Sequence, residues 1–386
     1  MKIKRVGSQE AGIQFLEAPV YIYKDDPNWI RPLNKDIEDV FFPKVNKLYK
    51  KGTAARWILI DDEGNLIGRV AAFINTKSSA GQPLRVGGFG FFECINNKEA
   101  AFMLLDQVQK WLTGREMEVM EGPINFGEKD KWWGLLVDGF SSPTYGMNYN
   151  PPYYRRFFEE FGLKTYYEQY VYRWDIKDPV PERFLNLYSR VKRDPRYTFR
   201  HIDKKDIKAC VDDFRTVYNK AWVNHSGFNA MDRKSVTRLF ESLKPVLDND
   251  TVWYAYHEGQ PIAFFIMIPE INQIIKNLNG KLNFINKLKF AWQLRKKTIR
   301  RLYGIIFGVV PEFQRKGVEA ALIAASYAHL QPLGRYDELE MTWIGDFNPR
   351  MISMLEALGA KKVKTLITFR KIFDPSIGFK RAPMIG

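Results

Sequence analysis

The stretch VVPEFQRKGVEAALI, residues 309–323, places a basic turn with one glycine between two apolar segments. An apolar run from Ile305 to Val310 predicts a strand, and the apolar residues after the turn recur at helical spacing. A strand, a glycine turn and a helix in this order often bind phosphate, because the amides of the first helical turn point at the anion. Glu319, two residues after Gly317, stands where such a cradle usually has a small residue. The stretch predicts either an anion site or an ordinary solvated turn before a core helix.

The overall composition indicates a globular chain. Its 386 residues suffice for two domains, and apolar residues make up 45% of it. No apolar run reaches the ~18 residues of a transmembrane helix, and the start of the chain lacks an apolar signal segment. Cys94 and Cys210 are too few for a disulfide framework. We therefore expect a cytoplasmic protein, with peripheral binding to the inner membrane surface as an option.

The net charge of +15 belongs to one half of the chain. Residues 1–178 hold 24 Lys and Arg against 24 Asp and Glu, whereas residues 179–386 hold 35 against 20. Residues 270–301 alone hold nine basic residues and one acid, Glu270. The basic half is predicted to attract an anion: a phosphorylated cofactor, a nucleic acid or an anionic lipid surface.

Two similar segments indicate a degenerate repeat. WILIDDEGNLIGRVAAFI (57–74) and VWYAYHEGQPIAFFIMI (252–268) each predict a strand, a turn and a strand. Aligning their turn glycines, Gly64 and Gly259, gives an offset of 195 residues. A strand, a helix and a further strand then follow in each half. They are predicted at Val86–Cys94, Lys98–Leu112 and Glu118–Ile124, and at Tyr303–Val310, Gly317–Leu330 and Glu338–Ile344.

A second repeated block begins at Asn150 in one half and at Asn348 in the other, an offset of 198 residues. Each block predicts a helix that starts at Asn-Pro and ends at a glycine, Gly162 or Gly359. An alternating pattern after each glycine predicts a two-stranded hairpin. Two copies of one α/β unit explain this order better than chance similarity.

The proline-interrupted stretch Asp178–Pro181 suits a linker, so we predict domains at 1–178 and 179–386. The order of elements resembles the GNAT acyltransferase fold. This resemblance implies an α/β (α+β) protein of two tandem GNAT-like domains, each a mixed, mostly antiparallel sheet flanked by helices. Bacterial tandem acyltransferase-like proteins, Fem-type aminoacyl transferases and N-myristoyltransferase are similar in having two such halves.

The turn at 314–319 resembles the GNAT motif Gln/Arg-x-x-Gly-x-Gly/Ala in five of six places. Because that motif binds the pyrophosphate of acetyl-CoA, the resemblance implies acetyl-CoA or another acyl-CoA as cofactor. The segment 93–99 of the first half has no glycine and little positive charge. We therefore expect one cofactor site and an acceptor-side role for the first half. The implied cofactor residues are Val309, Val310, Gln314, Arg315, Lys316, Gly317, Val318, Glu319 and Asn348.

Residues for acid–base catalysis are harder to place. Many GNAT enzymes carry a tyrosine acid seven residues after the asparagine, but the matching positions here are Leu355 and Phe157. His225, among polar and aromatic neighbours, is the candidate general base. His329 is interpreted as a packing residue, and because Cys94 and Cys210 are isolated, no metal site is predicted.

Residues 122–154 combine glycines, prolines and aromatic residues without long periodicity. Long loops of this kind are usually functional, and their aromatic content argues against disorder. We predict that the loop lines a groove between the halves, or alternatively that it only cements them. The candidate acceptor contacts are Asn125, Trp132, Trp133, Tyr149 and Tyr153 in this loop, and Trp222, Asn224 and Phe228 near His225.

Residues 269–301 form an insertion in the second half, where the fold needs only a turn. Apolar residues at helical spacing among basic ones predict one or two basic amphipathic helices. Such helices could contact an anionic membrane surface, cover the acyl site as a lid or bind tRNA. The remaining interpretation is a helical hairpin with a solvated face.

These observations favour an acyl-CoA-dependent N-acyltransferase, for acetyl or longer acyl groups, that acts on an amine in a groove between the halves. Small-molecule and lipid-like amines are the acceptor classes considered. The alternatives are Fem-type aminoacyl transfer from tRNA and a non-catalytic GNAT-fold protein that binds lipid or membrane. Glu319 and Leu355 favour the non-catalytic alternative, because both depart from the GNAT pattern.

Overall fold

The computed structural model describes residues 1–75, 83–127, 129–223 and 230–384. Within them a single mixed, mostly antiparallel sheet has the order β1-β2-β3-β4-β5-β13-β7-β12-β11-β10-β9-β8, and β6 pairs with β13. The strands are β1 Lys2–Arg5, β2 Gly52–Ile60, β3 Leu66–Asn75, β4 Val86–Cys94, β5 Val119–Gly122, β6 Leu135–Asp138, β7 Lys164–Asp175, β8 Tyr197–His201, β9 Val252–His257, β10 Gln260–Pro269, β11 Arg301–Val309, β12 Glu338–Gly345 and β13 Lys361–Ile372.

Helices cover both faces of this sheet. They are α1 Gln9–Ile22, α2 Asn34–Phe41, α3 Lys98–Thr113, α4 Tyr154–Glu160, α5 Glu182–Lys192, α6 Ile207–Ala221, α7 Arg233–Leu243, α8 Asn272–Ile275, α9 Phe284–Arg295, α10 Val318–Leu333 and α11 Pro349–Leu358. Short 3₁₀ turns occur at Lys47–Lys50, Lys204–Asp206, Asn249–Thr251 and Pro311–Phe313.

The two halves exchange their last strands. β13, from the second half, pairs antiparallel with β5 of the first half, and β7, from the first half, pairs antiparallel with β12 of the second. β13 and β7 also pair with each other at the centre of the sheet. The boundary at 178/179 stays a prediction about the chain, because in space each half is completed by a strand of the other.

The exchanged strands carry core residues into the opposite half. Ile367 and Phe369 of β13 pack in the cluster under α3, and Tyr172 and Trp174 of β7 pack in the cluster under α10. All four side chains are buried. Since burial of each large apolar side chain contributes roughly 1.5–3 kcal/mol, the exchange stabilises both halves together.

The predicted hairpin after each repeated helix is wrong. Each alternating segment is instead one twelve-residue strand, β7 or β13. Neither strand contains Gly, Pro or Asn, the residues that usually make a tight turn, so the alternation continues without a break.

The predicted Asn-Pro helix start holds in one half and is wrong in the other. The Asn348 side chain accepts a hydrogen bond from the Met351 amide and caps α11. Asn150 instead bonds the amide and carbonyl of Leu136 in β6, and α4 begins at Tyr154. Asn150 therefore connects two parts of the long loop and does not cap a helix.

Candidate functional site

A wedge opens between the parallel strands β11 and β12. Their pairing runs from Arg301 with Glu338 to Gly304 with Met341 and stops there within the described residues. β11 continues to Val309 along β10, and past Gly304 no described strand pairs with its other edge. Unpaired strand amides of this kind can bind a carbonyl group that lies between the strands.

The turn after β11 is shaped by two positive φ angles, +60° at Arg315 and +86° at Gly317. The Gln314 side-chain amide donates to the Val309 carbonyl at 3.1 Å, which ties the turn to the strand end. Gly317 precedes α10 without a side-chain cap, and the Ala321 amide is the first to bond back, to the Gly317 carbonyl. The three amides of residues 318–320 therefore have no partner among the described residues, and a ligand or water can bind them.

Positive charge surrounds the start of α10. Arg315 and Lys316 are exposed, and the Lys316 ammonium lies 5.2 Å from the centre of the Phe313 ring. A Cβ atom on Gly317 would lie 3.3 Å from the Arg190 guanidinium, so Arg190 of α5 also borders the turn. Helix dipole and cations together favour a phosphate group here.

Sequence reasoning missed Arg190 because α5 lies outside both repeated units. Glu319 is half-buried and forms no ion pair with any described residue. Val309, Val310 and Val318 are buried and form the apolar floor of the turn. The predicted residues 309–319 thus come together at one end of the wedge, and Asn348 lies just beyond the end of β12 on its other side.

The equivalent turn of the first half is closed. The Asn97 side chain caps α3 by accepting from the Ala100 amide at 2.9 Å. The Cys94 amide donates to the Tyr154 hydroxyl at 2.6 Å, and the Tyr153 hydroxyl donates to the Cys94 carbonyl at 2.8 Å. Side chains therefore already satisfy the Ala100 amide and both backbone groups of Cys94 in this turn.

The first half instead contains a recess with a polar end, where β3 begins and β4 ends. The recess is narrow, with a cavity volume of about 50 Å³, and it is partly open to solvent. Buried Glu93 accepts from the Tyr23 hydroxyl at 2.5 Å, the Tyr154 hydroxyl at 3.2 Å and Arg69 at 3.4 Å. Burial raises the pKa of Glu93 despite these donors. Its apolar wall includes Trp29, Ile30, Ile37, Phe91 and Leu135.

The predicted acceptor residues of the long loop are divided between four environments. Trp132 and Tyr149 line this recess, and Trp132 with Asn125 also lines a shallower depression beside α2. The Trp133 indole donates to the Tyr167 hydroxyl at 2.7 Å and is buried. The Tyr153 hydroxyl donates to the Cys94 carbonyl in the turn before α3.

The loop also joins the two halves. The Tyr145 amide donates to Glu270 at 2.9 Å, and the Asn272 side chain donates to the Pro143 carbonyl at 2.9 Å. The buried Lys364 ammonium donates to the carbonyls of Ser141 and Ser142, and burial lowers its pKa to about 8. Both interpretations of the loop therefore have structural support.

The remaining predicted residues lie near the wedge or outside the described residues. The Trp222 ring packs on β11, 2.6 Å from where a Cβ on Gly308 would stand. Asn224, His225 and Phe228 lie outside the described residues. Leu355 is buried, so α11 offers no acid there.

The two thiols are buried, which raises the pKa of Cys94 to about 12 and that of Cys210 to about 11. Both stay protonated at neutral pH, and a thiol in that state is a poor nucleophile.

The insertion between β10 and β11 is helical, as predicted. α8 and the following Leu278 pack on Ile30 and Leu33 of the first half. α9 packs on the same cluster only through Phe290 and Leu294. Four other apolar residues of α9 face the solvent: Phe284 at 76% exposed, Ile285 at 62%, Leu288 at 57% and Trp292 at 56%. Among the described residues, no helix combines the length and apolarity that crossing a bilayer requires.

No protein-family model matches the chain. It is 27% identical over 368 residues to protein YghO of Escherichia coli K12, covering 92% of each chain. It is also 27% identical over 366 residues to bacterial ceramide synthase of Caulobacter vibrioides, covering 93% of this chain and 94% of that one.

Among solved structures, a tandem GNAT protein from the clavulanic acid biosynthesis pathway matches with a TM-score of 0.56 at 11% identity, covering 97% of this chain and 99% of that one. The splayed parallel strands, the glycine turn and their repetition in two halves agree with this match. The chain therefore has the tandem GNAT fold, with two GNAT-like halves built into one continuous sheet.

Proposed function

We propose that the protein is an acyl-CoA-dependent N-acyltransferase that acylates a lipid-like amine. The open wedge between β11 and β12, leading to the uncapped start of α10, is the observation that carries this proposal. Arg190, Arg315 and Lys316 would bind the phosphates beside the free amides. The acyl thioester would lie along the unpaired edge of β11.

Catalysis would depend on placement and on the backbone. A strand amide near Val310 would donate to the thioester oxygen and stabilise the negative charge that develops there. It would be an amide on the edge of β11 that faces β12, because the Val310 amide itself donates to the Ile262 carbonyl. The amine would attack the carbonyl carbon, forming a C–N bond, and the C–S bond would break to release thiolate. The acceptor loses two protons as it passes from ammonium to amide. His225 stays the candidate base for the first, which leaves before the amine attacks, and the second would go to the thiolate, directly or through water.

The recess of the first half supports a lipid-like acceptor. Its wall is mainly apolar and aromatic, whereas Glu93 and Arg69 supply a buried polar end. Few precisely placed polar groups in an apolar cavity are typical of sites for small molecules. The relative named bacterial ceramide synthase adds support, since a ceramide is the amide of a fatty acid and a long-chain amino alcohol.

We further propose that α9 binds an anionic membrane surface, from which such an acceptor would come. Phe284, Ile285, Leu288 and Trp292 form its exposed apolar side. Six exposed basic residues surround it, which fits anionic lipid. They are Lys281, Lys287, Lys289, Arg295, Lys296 and Lys297.

An acylation assay tests the enzymatic proposal. Acetyl-CoA and longer acyl-CoAs would be incubated with a long-chain amino alcohol, and both thiol release and the amide product would be measured. We expect amide formation by the wild type and at least about tenfold less by Arg190→Ala at subsaturating acyl-CoA, because a charge-assisted contact contributes roughly 1.5–3 kcal/mol. Arg155→Ala, on a surface of the first half, is the control.

Calorimetric binding of acyl-CoA, together with assays of aminoacyl transfer and of amine turnover, separates the alternatives. Absence of binding of any acyl-CoA at millimolar concentration would overturn the enzymatic proposal. Transfer of an aminoacyl group from charged tRNA would support the Fem-type function instead. Binding of acyl-CoA without turnover of any amine would leave a non-catalytic binding protein.

Vesicle co-sedimentation tests the membrane surface. Wild type is expected to bind vesicles of phosphatidylglycerol and phosphatidylcholine, and to bind pure phosphatidylcholine weakly. Leu288→Ser with Trp292→Ser should reduce binding at least about fivefold, because both substitutions remove apolar side chains that the bound protein would bury in the lipid surface. Ile13→Ser with Tyr21→Ser, equally exposed on α1, is the matched control. Equal binding by both double variants would refute a role for α9.

A further inference from the structure

Three side chains that are far apart in the sequence meet at the edge of the second half. His201 ends β8, Asp250 lies in the 3₁₀ turn before β9, and His329 lies on α10. The His329 Nε2 atom lies 2.8 Å from Asp250 Oδ1, and the rings of His201 and His329 have centres 4.7 Å apart. One ligand atom from each residue lies within 4.8 Å of the other two.

This set has the chemistry of a transition-metal site. Imidazole nitrogen and carboxylate oxygen are common ligands of Zn²⁺, which binds them at roughly 2.0–2.2 Å. Tetrahedral ligands at that distance lie about 3.4 Å apart, so small side-chain movements bring the three atoms into place. Two imidazoles and one carboxylate would leave a further position for water.

The surroundings orient two of the three ligands. The His201 Nδ1 atom lies 3.1 Å from the Ile202 carbonyl, which favours the tautomer with a proton on Nδ1 and a free lone pair on Nε2. The Asp250 carbonyl accepts from the Trp253 indole at 2.8 Å, which anchors the turn. Hydrogen bonds of this kind, made by the atoms behind the ligands, are typical of metal sites.

The charges that face the cluster are compatible with a cation. The Arg335 guanidinium lies 3.9 Å from Asp250 Oδ2, but it contacts Asp248 more closely. Asp248 also accepts from the Tyr336 hydroxyl at 2.6 Å. The two carboxylates of Asp248 and Asp250 therefore carry more negative charge than the one arginine neutralises. All three ligand side chains are half-buried, where solvent screens charges less.

We propose that His201, Asp250 and His329 bind one divalent transition-metal ion of the Zn²⁺ class. The ion would clamp β8, the turn before β9 and α10 together. His329 is twelve residues after Gly317, about 18 Å along the helix axis at 1.5 Å per residue, so the ion would not touch the acyl group. Its role is to fix the helix that carries the phosphate turn.

Metal titration tests this site directly. Chelator-treated protein would be titrated with Zn²⁺ by calorimetry and with Co²⁺ by visible absorption. We expect one ion per chain, with affinity reduced at least about tenfold in His201→Ala and in His329→Ala, since each loses one ligand. His257→Ala is the matched control, because His257 lies on β9 away from the three ligands. An equal loss in His257→Ala, or no loss in the ligand variants, would overturn the proposal.

Thermal unfolding separates a metal ligand from a residue that only packs. Zn²⁺ should raise the melting temperature of the wild type by about 2–4 °C and leave His329→Ala unchanged. If His329 serves only as a hydrogen-bond partner of Asp250, the variant loses the same stability with and without Zn²⁺, and the proposal fails.

Discussion

The turns that begin α3 and α10 are equivalent in the two halves, yet the backbone groups at the two helix starts have different partners. Asn97 caps α3 with its own side chain. Gly317 has no side chain, and no described residue bonds the first amides of α10. A side chain thus satisfies part of one helix start, whereas none among the described residues caps the other. Repetition of the fold therefore does not repeat the site.

The strands next to these turns differ in the same sense. Past the last pair of β4 and β5, the Ile124 amide donates to the Phe89 carbonyl at 2.7 Å. The Ile124 carbonyl would lie 1.9 Å from a Cβ on Gly90, so the two chains are in contact there. β11 and β12 have no such link among the described residues. Backbone packing closes one wedge and leaves the other available.

A carboxylate placed in the open turn should have the largest effect. Gly317→Asp is expected to lower acyl-CoA affinity about 10–100-fold, because the new charge would face the phosphates. Asp and Asn tolerate the positive φ better than other side chains, so Gly317→Asn is the matched control. Calorimetry on variants with unchanged melting would check this. Equal losses in both variants would place the phosphates elsewhere.

The junction between the halves should depend on pH through Glu270. Burial raises its pKa from an ordinary 4.5 to about 7, so the folded protein holds a proton that the unfolded chain releases. This stabilisation is complete below pH ~4.5 and is lost as the pH rises through ~7.

Glu270→Gln removes this titration and keeps an oxygen for the Tyr145 and Asn272 amides. Between pH 5 and 8 the wild type should lose on the order of 1–3 kcal/mol of unfolding free energy relative to the variant. Urea unfolding at several pH values measures this difference. Parallel pH curves would contradict the shifted pKa.

Tyr154→Phe tests the closed turn of the first half. The variant loses the hydroxyl that accepts from Cys94 and donates to Glu93, and it should be less stable by about 1–3 kcal/mol. Acyl-CoA affinity should stay unchanged, because the proposed cofactor turn lies in the other half. Tyr21→Phe, on an exposed tyrosine, should alter neither quantity. A loss of acyl-CoA affinity in Tyr154→Phe would show that the halves are coupled.

Glu319→Gln and Glu99→Gln form the mildest comparison, since each carboxylate lies in the first turn of its helix. If Glu319 faces the phosphates, its removal should tighten acyl-CoA binding about two- to fivefold. Glu99→Gln should leave that affinity unchanged. Both variants lose a favourable dipole contact of about 0.3–1 kcal/mol in helix stability. No change in affinity for Glu319→Gln would mean that its carboxylate points to solvent.

The elements with strong local patterns were predictable. β4 matches its predicted bounds, and α10 begins one residue after Gly317, because glycine turns and apolar spacing are local signals. Fold class followed from the order of these elements. The prediction of hairpins was wrong because one long strand at the centre of a sheet shows the same alternation of residues as the two strands of a hairpin. The local sequence does not say which strand it will pair with.

The candidate site was predictable only where it is continuous in sequence. Residues 309–319 form one turn, so a motif identifies them. Arg190 reaches that turn from another helix, and the recess around Glu93 combines residues from α1, β3, β4 and the long loop. Such clusters have no spacing rule, because long-range packing assembles them.

The sequence by itself determined the repeated α/β unit, the basic second half, the glycine turn before α10 and the helical insertion, since each depends on neighbouring residues. Only the tertiary structure decided that the halves exchange β7 and β13, that one wedge is closed and the other open, and that His201, Asp250 and His329 meet. The physical reason is that burial and backbone pairing act between residues distant in the chain, and their partners are chosen by the folded shape.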